Sequence, residues 1–189
     1  MNLFIDALSS PCTLILFDDK RQMQGKASWN IKGNESSVLI PKLEEFLKYN
    51  TLTFFDLENI IVVNGPGSFT GVRTIVLMVN AINYLTQKNM TSLSYFQLFN
   101  RYPIIKSSSK RDCFFQKHKD SEIEIMPNDK IVEYCEKNNI RELYGEARLE
   151  VGNETEILDN INYWSIIQKI NFESNKQLKP LYIKKPNIS

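Results

Sequence analysis

The chain has 189 residues, 42% hydrophobic and 24% charged, enough for one large domain or two small lobes around a buried core. A formal net charge of +1 gives no bulk electrostatic case for nucleic acid or a membrane surface, so any such contact must come from a local patch or a partner. No run approaches the roughly 20 apolar residues of a membrane span.

The start, "MNLFIDALSSPCTLILFDD", lacks the basic region of a secretion signal. The three cysteines, Cys12, Cys113 and Cys135, are far apart and form no CxxC pair. Free thiols in a reducing compartment are expected, which places the protein in the cytoplasm. Residues 2–8, 12–18 and 22–30 predict three short strands, with turns at "SSP" and "DDKR". "NESSVLIPKLEEFLKYN" predicts a helix with Leu39, Leu43, Phe46 and Leu47 on one stripe. Asn34 or Ser36 would cap it, and Pro41 should fall in its first turn. "LENIIVVN" is an all-apolar run suited to a strand covered on both faces.

The glycine-rich turn "NGPGSFTG" follows and opens a helix over about residues 70–88. Gly65, Gly67 and Gly71 give G-x-G-x-x-x-G rather than the dinucleotide fingerprint, and Val72 and Arg73 stand where a Walker loop needs Lys and Ser/Thr. Two readings remain: the general preference of a helix start for anions, or a tight strand-to-helix connection. Actin- and hexokinase-like ATPases also grip phosphate with a glycine-bearing first hairpin beside an Asp. Asp6 is present here, but "ALSSPC" has no glycine, and that favours the rigid connection, with Asp6 as an acceptor at a strand end. In the helix, Val72, Ile75, Val79 and Ile82 line one face, while Leu77, Ala81, Tyr84 and Leu85 line a face roughly opposite. Such a helix is either internal to a core or completed by another chain.

Further on, "SLSYFQLFNRY" is compatible with a helix, and "PIIKSSSKRDCFFQKH" with "SEIEIMP" with paired hairpins. "NDKIVEYCEKNN" predicts a helix started by Asn128 or Asp129, with Ile131, Val132 and Cys135 inward. "RELYGEA" predicts a strand, and "NINYWSIIQKI" a helix with Trp164 and Ile167 on one stripe. A lobe boundary is expected near residues 89–94, dividing the chain into 1–92 and 93–189. His118, the one histidine, sits among charged residues in an expected exposed turn and has no metal or nucleophile company.

"LFIDALSSPCTLILFDD", "NESSVLIPKLEEFL" and "LENIIVVNGPGSFTGVRT", with the closing "KPLYIKK", resemble the TsaB (YeaZ) family. The resemblance covers residues 1–18 and 34–88, and Gly65, Pro66, Gly67, Ser68, Phe69, Thr70 and Gly71, with Arg73 two beyond, fit the family's turn. It implies an α/β, actin/hexokinase-like (ribonuclease H-like) fold of two related lobes, the second shortened. It implies a scaffold without catalysis of its own in tRNA N6-threonylcarbamoyladenosine synthesis, pairing with the catalytic paralogue TsaD and the ATPase TsaE. tRNA would be met only through that complex, where the group goes to the adenosine 3′ of the anticodon. The partner surface would use the helices near 36–49 and 70–88, with Leu39, Leu43, Leu77, Ala81, Tyr84 and Leu85, and would support a homodimer when the chain is alone. No cofactor or metal is expected.

The sequence departs from the family where Asp6 is followed by Ala7 and Leu8 instead of Thr and Ser, and where the first helix starts Asn34-Glu35. The alternative is an active actin/hexokinase-like ATPase or kinase. The metal-dependent paralogue needs a histidine pair that a single His118 cannot supply.

Overall fold

The computed structural model describes residues 1–30, 35–152 and 154–183. Two five-stranded mixed sheets are built from the same plan. In the first, β1 (Asn2–Asp6), β2 (Cys12–Phe17) and β3 (Met23–Trp29) form an antiparallel meander. β4 (Asn59–Val63) lies parallel to β1, and β5 (Asn89–Leu93) parallel to β4. In the second, β6 (Ile104–Ser107), β7 (Asp112–Gln116) and β8 (Glu124–Pro127) form the meander. β9 (Glu142–Glu146) then pairs parallel to β6, and β10 (Glu156–Leu158) parallel to β9. The strand orders, 3-2-1-4-5 and 10-9-6-7-8, are the same arrangement written twice.

The helices follow the same repeat. α1 (Glu35–Tyr49) joins β3 to β4, as α3 (Asn128–Lys137) joins β8 to β9. α2 (Phe69–Thr86) joins β4 to β5, but among the described residues no helix lies between β9 and β10, and the second lobe is shorter there. A last short helix, α4 (Tyr163–Lys169), precedes a tail that returns to the first sheet. The expected two-lobe α/β fold is therefore the observed one.

Burial follows strand alternation. Leu3 and Ile5 of β1 face α1 and α2 together with Leu14, Leu16, Ile60 and Val62, while Phe4, Ile15, Phe17 and Ile61 face the other way. That second set meets Ile104 and Phe114 of the second sheet and Ile167 of α4, so the lobes share one apolar seam. A third cluster, with Ile105, Phe115, Ile131, Cys135 and Leu143, lies between the second sheet and α3. With both faces covered, β1, β2 and β4 read as continuous apolar runs in the sequence.

Several local expectations change. Pro41 lies in the second turn of α1, with its ring exposed, so the helix begins well before it. Asn34 and the side chain of Ser36, the expected caps, fall outside the described residues. Residues 89–93 form strand β5, and "SYFQL" forms only a single 3-10 turn capped by Ser94. α3 does start at Asn128, as expected, with Pro127 before it making no side-chain cap bond. Ile131 and Cys135 are buried as expected, and Val132 half so. In α4 the inward positions are Tyr163, Ile167 and Ile170, whose spacing follows the helical repeat. Trp164 sits one position round from them and is exposed.

Candidate functional site

The turn leaving β4 is shaped by what covers it. Gly65 has φ +139°, in the left-handed half of the map, and a β-carbon there would lie 2.9 Å from Leu181 Cβ. The Leu181 amide donates to the Asn64 carbonyl at 2.8 Å, and the Asn64 side-chain amide donates to the Lys179 carbonyl at 2.9 Å. The Tyr95 amide donates to the Gly65 carbonyl at 2.6 Å. Ser68 caps α2, its hydroxyl accepting from the Gly71 amide at 3.1 Å, and a β-carbon on Gly71 would press to 2.7 Å from that oxygen. Phe69 stacks on Tyr182 at 5.1 Å, Pro66 is buried, and Thr70 and Arg73 are exposed. The chain's own tail thus occupies the flank of the turn, which is the rigid-connection reading and not an open phosphate cradle.

The tail is held along α2 as well. The Asn80 side-chain amide donates to the Leu178 carbonyl at 3.0 Å and its oxygen accepts from the Leu178 amide at 2.9 Å, while Asn83 donates to the Lys176 carbonyl at 3.2 Å. These asparagines, three residues apart on an apolar helix, were the sequence signal that a bare stretch of backbone lies there.

The opposite face of α2 is left largely uncovered by the described residues. Val72, Ile75 and Val79 are buried, but Leu77 is 57% exposed, Leu85 70% and Tyr84 80%, with Ala81 exposed beside them. Just beyond the helix the Lys88 ammonium donates to the Phe55 carbonyl at 2.7 Å, and the Phe55 side chain is exposed. On α1 the structure corrects the expectation: Leu39 and Leu43 are fully buried against the sheet. They sit on the stripe that α1 must bury to hold itself to β1 and β4. Ile40, one position round, is exposed, as is Tyr49 at the end of the helix.

At the seam, polar groups gather beneath the first hairpin. Asp6 accepts from the Leu8 and Ser9 amides at 3.1 and 3.0 Å and from the Tyr163 hydroxyl at 2.8 Å, the acceptor role expected for it. From the second lobe, the Lys106 ammonium donates to the Leu8 carbonyl at 2.8 Å, lies 3.8 Å from the centre of the Tyr95 ring and is 3.7 Å from Glu146. Glu146 accepts from the Ser10 amide at 2.8 Å. Burial pushes the Lys106 pKa down and the Glu146 carboxyl up, each opposed by the charge of the other, and burial followed by Asp6 pushes the Tyr163 hydroxyl up. The hairpin is therefore tied to the second lobe by three side chains that the sequence did not single out. A lysine after two isoleucines in "PIIKSS" was the available signal. His118 is exposed in a turn closed by Ser121, as expected.

Two lobes of repeated topology, meeting at a seam under the first hairpin, define an α/β protein of the actin/hexokinase-like class. No family model matches the chain. It is 26% identical to the uncharacterized protein MG208 of Mycoplasma genitalium, over 97% of this chain and 95% of that one. It is 28% identical over 110 residues to the tRNA threonylcarbamoyladenosine biosynthesis protein TsaB of Buchnera aphidicola, covering 55% of this chain and 49% of that one. YeaZ from Pseudomonas aeruginosa superposes with a TM-score of 0.55 at 16% identity over 68% of each chain. A protein described as similar to peptidase YeaZ from Pseudomonas aeruginosa superposes with a TM-score of 0.68 at 13% identity, over 97% of this chain and 99% of that one. These likenesses agree with the resemblance to the TsaB (YeaZ) family that the sequence carries. Among the described residues no helix is long and apolar enough to cross a membrane.

Proposed function

We propose that this chain is a scaffold subunit in the synthesis of tRNA N6-threonylcarbamoyladenosine, without catalysis of its own, working in the cytoplasm beside a TsaD-type catalytic paralogue and a TsaE-type ATPase. The observation that carries the reading is the face of α2 bearing Leu77, Ala81, Tyr84 and Leu85, three of them large and more than half exposed. Water is a poor neighbour for a contiguous apolar stripe, and a complementary helix face would cover it. Small Ala81 between larger side chains permits close approach of a second helix. Ile40 on α1 and Phe55 are further exposed apolar side chains of the first lobe.

The seam supports the same reading. Asp6, the acid an actin-like ATPase would need beside phosphate, already accepts three hydrogen bonds from the protein, and the Lys106 ammonium fills the space above Tyr95. We take residues 1–92 and 93–189 as the two lobes, with the tail as a strap returning to the first. When the partner is absent, a second copy of this chain is proposed to cover the α2 face.

Co-expression with the TsaD of the same organism tests the proposal. A stable complex at micromolar concentration is the expected result, and failure to co-purify would sink it. Measurable ATP turnover by the isolated chain, abolished by Asp6→Asn, would favour the ATPase reading instead.

A further inference from the structure

Negative charge is missing from two long stretches of the chain. Residues 59–111 and 174–189 contain no aspartate or glutamate, although the sequence has 22 of them. The fold lays part of one stretch along part of the other. α2 belongs to the first, and the tail held beside it by Asn80, Asn83 and the Phe69–Tyr182 stack belongs to the second. The apolar stripe of α2 is therefore bordered, on its tail side, by a strip that carries no acid.

The cations of this surface are unengaged. Arg73 is exposed one turn before Leu77, on the same i, i+4 row as Ala81 and Leu85. Lys176 and Lys179 are exposed on the tail, on either side of Leu178. The buried Leu178 side chain and its two backbone bonds to Asn80 fix that segment in place. None of the three charged groups has an ion-pair or hydrogen-bond partner among the described residues. Cations elsewhere in the first lobe differ: Lys42 on α1 pairs with Glu45 at 2.7 Å, and Lys88 is taken by the Phe55 carbonyl. The nearest acid along the tail is Glu173, back beside β5, where its amide donates to the Thr91 hydroxyl at 2.9 Å.

We infer that α2 is covered by a protein surface with an apolar centre and a border of carboxylates, placed to meet Arg73, Lys176 and Lys179. This rests on the scaffold reading and adds the partner's charge to it. Opposite charges across the rim of an interface raise the rate of encounter and exclude wrong partners more than they add affinity. A basic border would be repelled by all three cations together. The middle of the stripe favours a protein over a nucleic acid. Leu77, Ala81 and Leu85 offer aliphatic packing rather than faces on which bases stack, and Phe69 and Tyr182 are stacked on each other.

Association of the full chain with the TsaD of the same organism, followed at low and high salt, tests this. The on-rate should fall by about tenfold or more as salt rises from about 50 to about 500 mM. The triple variant Arg73→Gln, Lys176→Gln, Lys179→Gln should associate about tenfold more slowly at low salt and show little dependence on salt. All three positions are exposed, so the variant should melt with the parent protein. A complex whose on-rate ignores salt, or is the same in the triple variant, overturns the acidic border and leaves the scaffold reading standing. No complex at all overturns both. Binding of bulk tRNA by the lone chain, lost in the triple variant, overturns the assignment to a protein surface.

Discussion

Gly65 and Leu181 are packed backbone against backbone: the residue leaving β4 has a positive φ, and the tail carbonyl of Leu181 stands where its β-carbon would go. They are also joined through Asn64, whose carbonyl accepts from the Leu181 amide at 2.8 Å. The turn and the tail thus form one unit, although most of the second lobe separates them in sequence.

Gly65→Ala should therefore destabilise the protein by about 1–3 kcal/mol, through the strained φ and the displaced tail. Chemical denaturation would show it as a lower midpoint with a similar slope. An unchanged midpoint would mean that the tail is not held against the turn.

Leu77→Glu with Ala81→Glu should leave the isolated chain folded, because both positions are exposed and surface changes usually stay within about 0.5 kcal/mol. The same pair should abolish pairing with TsaD and self-association, since two carboxylates would be buried at the contact. Sedimentation of the parent chain should show a dimer at high concentration and of the variant a monomer. A parent that stays monomeric, or a variant that still pairs, counts against this surface.

Glu146→Gln should cost about 3 kcal/mol at neutral pH by leaving Lys106 buried without its counter-charge. Glu146 is a main influence holding the Lys106 pKa up against burial, so removing it lowers that pKa further. A lysine depressed in the folded state binds fewer protons there than when unfolded, so stability rises with pH between its folded and unfolded pKa values. The variant should accordingly recover part of its loss on going to alkaline pH. Thermal unfolding across pH 7–10 would reveal a deficit that fails to narrow (the range is about that of the titration).

Burial, with Asp6 second, pushes the Cys12 thiol up to about 12, and burial pushes that of Cys113 up to about 11. Neither should react with a thiol reagent near pH 8 until the protein unfolds. Both groups keep their protons in the folded state over a range where the unfolded chain loses them. Their contribution is thus full below pH 9.0, the ordinary thiol value, and is lost as pH rises toward 11 and 12. Rapid labelling of Cys12 under native conditions would contradict this burial.

The amino-acid pattern alone determined the first meander, β4, the glycine turn and both faces of α2, because period and polarity are local and each element repeats them several times. It also exposed the absence of a glycine in the first hairpin. Only the tertiary structure decided that Leu39 and Leu43 serve the chain's own core while Ile40 stays outside, since neighbouring positions on a helix differ only in what happens to cover them. It also decided that Lys106, Glu146 and Tyr163 converge on the first hairpin, that Lys176 and Leu178 run along α2, and that residues 179–182 lie over the glycine turn. These pairings join residues far apart in sequence, and local periodicity carries no record of which distant segment fills a given face.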